Sequence, residues 1–556
     1  MNRKHFLKLS ASTAVAVLFH KLTEAASSQI AIIGTPDEAW AQSGEEWFKL
    51  TATNGNKFTY KDIELTLKTN GNAKGIYIQS PSQQLNAIRL KWKSAVSSTA
   101  SSLGDHWERS YGDLQWKPAN TGNKNPWYVI LYNNGQTACF GVKTGANSVC
   151  WWTLNSDSLE LVADTRSGGN GVLLGQRTLH AADIVTTEGK PGENPFHTDH
   201  RFCGMMCDSP RLPKQPVYGI NDWYFAYGKN DFDLIKKTTG LMSELVTDTK
   251  NKPFSVIDAG WATYSPLLPG DGGWNEDFTK PNDKFKDMHL LADEIKKLGM
   301  RPGLWMRPLC ARHDEKVSLL APKIQGRSNP KNPVLDPTIP ENIERIKRNF
   351  DFYKQWGYEL VKHDYTTYDI TGRWGANMKD SITPSGWNFN DRSKTTAEII
   401  LHLYRSIRDA AGNGIYIIGC NTMSHLSAGV FEMCRIGDDT SGREWNRTRK
   451  MGVNTLAFRL PQHKKFYAVD GDCVGLTTDI AWDRNKQWLQ LLAESSSPLF
   501  ISAQPEALGS EQKKAIKEAF AHAAKQQPLG EPLDWMETPI PEKWLLNGRT
   551  VNFNWA

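Results

Sequence analysis

The sequence predicts a multidomain chain: an N-terminal β-sandwich, then a (β/α)8 TIM barrel, then a short C-terminal β segment. Three observations predict it. From about Trp47 to Cys150 polar and apolar residues alternate in short runs, broken by the turn signals Asn54-Gly55-Asn56, Thr69-Asn70-Gly71-Asn72 and Asn133-Asn134-Gly135. Beyond the proline-rich connector 210–216, short apolar strands alternate with long amphipathic helical runs. With 556 residues, the chain is also long enough for two to four domains.

Taken in order, residues 1–41 read as an export signal. Arg3, Lys4 and Lys8 precede an apolar run from Ala11 to Phe19 that is too short to span a bilayer. The string Arg3-Lys4-His5-Phe6-Leu7-Lys8 looks like a relaxed twin-arginine signal, with cleavage near Ala26 or after Ala39-Trp40-Ala41. No later stretch reaches about 18 uninterrupted apolar residues, so the mature chain is expected to be soluble in the periplasm or outside the cell. The sandwich is assigned to 42–208, with Trp92, Trp107, Trp116 and Trp127 on its loops. The barrel is assigned to 209–528, with strands at 217–225, 254–258, 302–306, 359–363, 415–419, 432–436, 466–469 and 499–502. Helical runs at 284–298, 341–356, 395–411, 443–458, 486–494 and 511–524 separate or follow them. The tail 529–556 offers one strand around Val551.

Composition narrows the function. Hydrophobic residues at 39% and charged residues at 23% are ordinary globular usage. A net charge of +6, from 66 basic and 60 acidic residues, is too dilute for a nucleic-acid footprint. Eight scattered cysteines with no Cys-x-x-Cys pair make neither a disulfide scaffold nor a zinc ribbon. His197, His200, Cys203 and Cys207 crowd the domain junction and leave metal binding there an open question, although their spacing fits no common zinc site. No cofactor is implied.

In a TIM barrel the reactive groups sit at the C-terminal ends of the strands. Those ends read Asn221-Asp222-Trp223, Asp258-Ala259-Gly260-Trp261, Trp305-Met306-Arg307, Lys362-His363-Asp364, Cys420-Asn421, Arg435 to Asp439, and Asp470-Gly471-Asp472. The period-two pleat puts Lys362 and Asp364 on one inward face, where the ammonium would hold Asp364 ionised. Asp439 follows Arg435 past the strand end and would face Asp364. Two carboxyls flanking a bond, one charged and one protonated, are the equipment of glycoside hydrolysis.

The ordered series Trp223-Tyr224, Ile257-Asp258-Ala259-Gly260-Trp261, Gly303-Leu304-Trp305, Val361-Lys362-His363-Asp364, Gly419-Cys420-Asn421 and Arg435-Ile436-Gly437-Asp438-Asp439 resembles the α-galactosidase clan of retaining glycoside hydrolases. Within it, the chain looks like the branch with a β-sandwich before the barrel. The resemblance covers about 215–525. It implies that Asp364 is the nucleophile and Asp439, in preference to its neighbour Asp438, the acid/base. It also implies substrate contacts from Lys362 and Arg435, and support from Asp470 and Asp472. Asp258, Cys420 and Asn421 join the expected substrate-binding set, and Trp261 and Trp305 are candidates for packing on the sugar's apolar face.

Two departures bear on specificity. Galactose-specific members carry a second aspartate where this chain has Ala259, and Arg307 stands where several relatives have an acid. The first removes one reader of the sugar hydroxyls, and the second offers a cation to an acidic substrate or to a pocket carboxylate such as Asp258. The expected function is an exported retaining α-glycosidase acting on an oligosaccharide or glycoside. The alternatives are a transglycosylase on the same scaffold and a catalytically silent glycan-binding protein.

Overall fold

The computed structural model describes residues 33–556, except 95, 249, 265–275, 313, 325–332 and 380. The basic and apolar parts of the expected signal, and Ala26, lie outside the described residues. In the N-terminal half, fourteen strand segments follow one another in an antiparallel hydrogen-bonded order. The strand Glu46–Asn54 pairs with Glu38–Ser43 on one side and Lys57–Tyr60 on the other, so it passes from one sheet of the sandwich into the second. Alternating burial along Ile63–Asn70 is the pleat expected of a sheet with one wet face. Trp92 and Trp152 stack with ring centroids 6.1 Å apart in the core.

Several sequence expectations change here. Trp92 lies in a strand and is buried, Trp127 keeps its place at a bend between strands but is fully buried, and Trp107 is sealed by donating to the Met378 carbonyl of the barrel at 3.2 Å. Ala39 and Ala41 are fully buried inside Glu38–Ser43, a strand paired on both edges. Cleavage after Ala41 would therefore cut through the sandwich. The stretch 195–206, read as part of the sandwich, forms a helix, Pro195–Met206, because Asn194 caps the Phe196 N–H and Pro195 pre-sets the first turn.

The barrel strands are labelled β1 (Tyr218–Asn221), β2 (Phe254–Ile257), β3 (Arg301–Met306), β4 (Leu360–His363), β5 (Tyr416–Gly419), β6 (Met433–Arg435), β7 (Ala468–Asp470 continued as Cys473–Leu476) and β8 (Leu499–Ala503). All neighbouring pairs are parallel. The ring closes through β7, whose first half pairs with β6 and whose second half pairs with β8. The break falls at Gly471-Asp472, where Asp472 takes a left-handed φ of 72° and turns the chain toward β8.

β1 is shorter than expected, because Asn221 caps the Trp223 N–H and a turn of helix, Trp223–Ala226, begins at once. The helix Phe232–Ser243 after it is an addition to the sequence reading. Between β5 and β6 the described helix is only Ser424–Ser427. The run read as one helix at 443–458 contains a widened π turn, Thr448–Asn454. The tail folds as three antiparallel strands, Glu531–Pro532, Lys543–Leu546 and Arg549–Asn552, not one. Trp544 and Trp555 are its core, and Trp445 of the barrel donates to the Trp555 carbonyl at 3.1 Å. Among the described residues no helix is long and apolar enough to cross a membrane.

The two large domains join by main-chain hydrogen bonds. Ser110 of the sandwich donates to the Ile436 carbonyl at 2.7 Å and accepts from the Asp438 N–H at 2.9 Å, bridging across Gly437 just past β6. A Cβ on Gly437 would lie 2.1 Å from the Met451 carbonyl oxygen. Gly437→Ala is therefore expected to force this joint apart, costing about 1–3 kcal/mol, the range for overpacking. Thermal unfolding of the variant checks it, and a melting temperature equal to wild type would refute the crowding.

Candidate active site

β4 ends at His363, and the next residue, Asp364, projects into the barrel mouth. Tyr365 holds a left-handed backbone, φ 68°, an uncommon conformation for a bulky residue and one that recurs at functional sites. That turn brings the Tyr365 N–H to Asp364 Oδ1 at 2.7 Å, while Trp305 Nε1–H donates to Oδ2 at 3.1 Å. Both oxygens are thereby fixed in direction, and the carboxylate remains partly exposed.

On β6, Arg435 is 1% exposed and its guanidinium forks between two carboxylates, Asp439 Oδ1 at 3.0 Å and Asp472 Oδ1 at 3.0 Å. Asp472 is tied further by the Thr440 N–H at 2.8 Å and hydroxyl at 3.0 Å, and by the Tyr224 hydroxyl. Asp470 beside it is pushed up to about 6 by burial, against the pull of Arg435. Burial also works against the charge on Asp439, but Arg435, Arg109 and Lys362 outweigh it and hold the carboxyl down at about 2. In the free protein Asp439 is therefore ionised.

Arg109 comes from the sandwich. Its Nη2 meets Asp438 Oδ1 at 2.8 Å and its Nη1 lies 3.7 Å from Asp439 Oδ1, while its guanidinium packs over Trp374 at 5.1 Å. Glu108 stands behind it, accepting from the Gly375 N–H at 2.8 Å and from Tyr111 and Asn421, with burial raising its carboxyl above the usual range. Asp364, Asp439, Asp438, Arg109, Tyr111 and Trp374 line one cleft of about 330 Å³, a volume suited to a small ligand. Arg109, Glu108 and Tyr111 were missed in the sequence reading. The signal was present as a dense charged and aromatic run, Asp105-His106-Trp107-Glu108-Arg109, in a domain whose strands otherwise alternate.

Other expected residues fall into place unevenly. Lys362 pairs with Asp258 at 2.7 Å, not with Asp364, and Asn221 donates to the same Asp258 oxygen at 2.8 Å. The neighbouring Asp222 is pushed up to about 7 by burial and by the Asp258 charge. Cys420 lies 3.7 Å from Arg435 Nη1 with its thiol raised by burial.

Three expected substrate contacts are corrected. Trp261 is fully buried, donates to the Trp305 carbonyl at 2.9 Å and packs on Phe278, Tyr353 and Trp356, so it offers no face to a sugar. Asn421 is fully buried and spent at both ends, on Glu108 and on the Tyr368 N–H. Arg307 is 2% exposed and forks onto Asp369, at 2.9 and 2.6 Å, instead of meeting a substrate or Asp258. Its guanidinium supports the Tyr365 ring at 4.7 Å. Trp305 is also buried and reaches the cleft only through its N–H edge. The junction quartet disperses: His197 goes to Glu531, His200 to the Pro461 carbonyl and Cys203 to Asp199. Among the described residues, no group of three or more His, Cys, Asp or Glu could hold a metal ion.

No family model matches the sequence. Solved structures do match the fold. An alpha-galactosidase from Thermus thermophilus, in complex with p-nitrophenyl alpha-D-galactopyranoside, superposes with a TM-score of 0.59 over 93% of this chain and 99% of its own, at 16% identity. A GH36 alpha-galactosidase from Geobacillus stearothermophilus, in complex with 1-deoxygalactonojirimycin, gives 0.58 over 92% of this chain and 77% of its own, at 12% identity. An alpha-galactosidase from Lactobacillus brevis gives 0.55 over 89% and 69%, at 13% identity. The sandwich-then-barrel architecture is therefore the fold of GH36 alpha-galactosidases. This chain carries that fold over nearly its whole length.

The Arg307–Asp369 fork lends itself to a test. Removing one partner of a buried pair strands the other, at about 3–5 kcal/mol. Arg307→Met is expected to lower stability by that order, and Asp369→Asn added to it should restore part of the loss in denaturant unfolding. A stable Arg307→Met protein with only a raised KM would instead make Arg307 a substrate contact.

Proposed function

We propose that this chain is a retaining α-glycosidase that hydrolyses terminal α-linked sugars through a covalent glycosyl-aspartate. The observation that carries the reading is the placing of Asp364 and Asp439 on one cleft at the mouth of this barrel. Asp364, with both oxygens held by N–H donors, is the nucleophile. Asp439 is the acid/base. In the first step Asp439, having taken up a proton from solvent against the pull of Arg435 and Arg109, gives it to the glycosidic oxygen, the bond from that oxygen to the anomeric carbon breaks, and Asp364 forms the new bond to that carbon. In the second, Asp439 takes a proton from water, whose oxygen displaces Asp364 and releases the sugar. Lys362 and Arg435 are donors beside the cleft, each bridging to a carboxylate that fixes it: Asp258 for the first, Asp472 for the second. On the same reading the chain is exported and its signal is removed ahead of Glu38, which keeps the first strand intact.

Asp438 is the weaker candidate for acid/base. Arg109 at 2.8 Å and Arg447 at 2.7 Å hold it from both sides, whereas Asp439 keeps more than a third of its side-chain surface exposed. Asp364→Asn and Asp439→Asn are each expected to lower kcat by about three or more orders of magnitude, and Asp438→Asn by much less. Proton NMR of the first product should show a retained anomer. An inverted product, or a larger loss at Asp438, would overturn these roles.

The acid/base must carry a proton to act, and Arg109 opposes that proton. Replacing Arg109 by Met should raise the Asp439 pKa, so the limb on which kcat/KM falls with rising pH moves to higher pH. An unmoved limb would remove Arg109 from the acid/base environment. For the sugar, the missing carboxylate at Ala259 withdraws one charge-assisted hydrogen bond of about 1.5–3 kcal/mol. Plain α-galactosides should therefore trail the best substrate in a screen of nitrophenyl α-glycosides by about one to two decades in kcat/KM. A leading α-galactoside would refute this.

A further inference from the structure

A fully buried acid at the seam between sandwich and barrel has no part in the chemistry above. The helix Pro195–Met206 is wedged into that seam. On one side it packs on the sandwich. Phe202 meets the Tyr128 ring edge-on at 6.3 Å, and a Cβ on Gly141, in the strand Gln136–Val142, would lie 2.7 Å from the Met206 sulfur. On the other side, His200 Nδ1–H donates to the Pro461 carbonyl of the barrel at 2.8 Å. Asp199 on this helix is 0% exposed. Its Oδ1 accepts from the Cys203 thiol at 3.4 Å, and its Oδ2 has no hydrogen-bond partner among the described residues.

The surroundings bring Asp199 no cation. The helix itself contributes Cys203, the strand Gln136–Val142 contributes Cys139, the strand Tyr128–Asn133 contributes Tyr128, and the loop after the strand Ser101–Gly104 contributes Asp105. Arg201, beyond Cys139, pairs outward with Glu193 at 2.9 Å, and Lys465 acts on His200. From the barrel, Arg459 is taken by Asp105 at 2.8 Å, and Gln462 donates to Asp105 at 3.1 Å. Two buried carboxyls therefore share a seam with one guanidinium, and Asp105 holds it. An ionised carboxylate in a low-dielectric site needs a cation or several donors, and Asp199 has neither. Burial pushes its carboxyl well above the usual range, the thiol opposing and the Asp105 charge adding to the push.

We propose that Asp199 is a pH-sensitive latch on the domain seam: carrying a proton, it lets the helix Pro195–Met206 seat between sandwich and barrel, and losing that proton to solvent releases the helix. The latch adjoins the cleft's electrostatics. Asp105 begins the loop that carries Arg109, and Arg459 donates to the Ile436 carbonyl at 2.9 Å, the same oxygen that the Ser110 N–H meets. In the unfolded chain Asp199 titrates near its ordinary value of about 4. The folded chain keeps the proton to higher pH. The latch's contribution to stability is thus full below that ordinary value, falls as pH rises above it, and is gone once the folded carboxyl has ionised.

Asp199→Asn keeps the shape of the side chain and cannot titrate. In denaturant unfolding, the unfolding constant of the wild type divided by that of the variant is expected to rise by about tenfold per pH unit between pH 5 and 7, the slope of one proton. Asp222 and Asp470, buried acids elsewhere, are present in both proteins and cancel from the ratio. Release of the helix is read by alkylation with iodoacetamide at pH 8.5, followed by peptide mapping. Cys203 and Cys139 are expected to react about tenfold or more faster in wild type than in Asp199→Asn, and the barrel's Cys473 equally in the two. A change in thiol acidity has the opposite sign, because the Asp199 charge raises the Cys203 thiol and its loss would speed the variant. If Asp199→Asn does not fold, Asp199→Leu, equally neutral, carries the same measurements. A ratio constant across pH, or equal labelling of Cys203 and Cys139 in the two proteins, would overturn the latch. Failure of both variants to fold would overturn it as well, since the site is one that holds a neutral side chain.

Discussion

Charge carried into the mouth of the barrel has to be neutralised where it stands, and that constraint organises most of this molecule. An ionised carboxylate in a low-dielectric site costs several kcal/mol unless a cation or hydrogen-bond donors meet it. The mouth answers with alternation. Lys362 meets Asp258, Arg435 meets Asp472 and Asp439, Arg109 meets Asp438, and Arg307 meets Asp369. Asp364 stands apart, held by two N–H donors and no cation at contact distance among the described residues. Asp439, by contrast, stands among guanidinium groups.

The same constraint ties the domains together. Arg109 is supplied by the sandwich, yet its partners Asp438 and Asp439 belong to the barrel, and Glu108 behind it binds Gly375 and Asn421 of the barrel as well. The Ser110–Gly437 main-chain bridge sets this loop to within one hydrogen bond of the carboxylates it must reach. The sandwich is thus part of the site's electrostatics, because Arg109 is one of the cations that hold the Asp439 carboxyl down.

Closure of the barrel feeds into the same network. β7 breaks at Gly471-Asp472 so that one half can pair with β6 and the other with β8. The left-handed turn that makes the break is the turn that points Asp472 at Arg435. Topology and chemistry share one residue there. Similarly, the left-handed Tyr365 both ends β4 and aims an N–H at Asp364, with its ring resting on Arg307.

The sequence by itself determined the order of layers and which acids stand at the strand ends, because strand and helix periodicity and the position of an acid at a strand end are local properties of the chain. Asp364, Asp439, Arg435 and Lys362 could be placed from spacing and from their likeness to a known series. Which cation meets which carboxylate was a tertiary decision. Lys362 and Asp364 share an inward face in sequence, yet the folded barrel brings the ammonium to Asp258, just past β2. Arg307, just past β3, found Asp369 in the short helix after β4, while Trp261, equally prominent, turned into the packing between barrel and helix. Arg109 lay in another domain altogether, more than 300 residues before its partners, and no periodicity links residues that far apart. Local patterns record which face a side chain takes, and only the folded chain decides what stands opposite it.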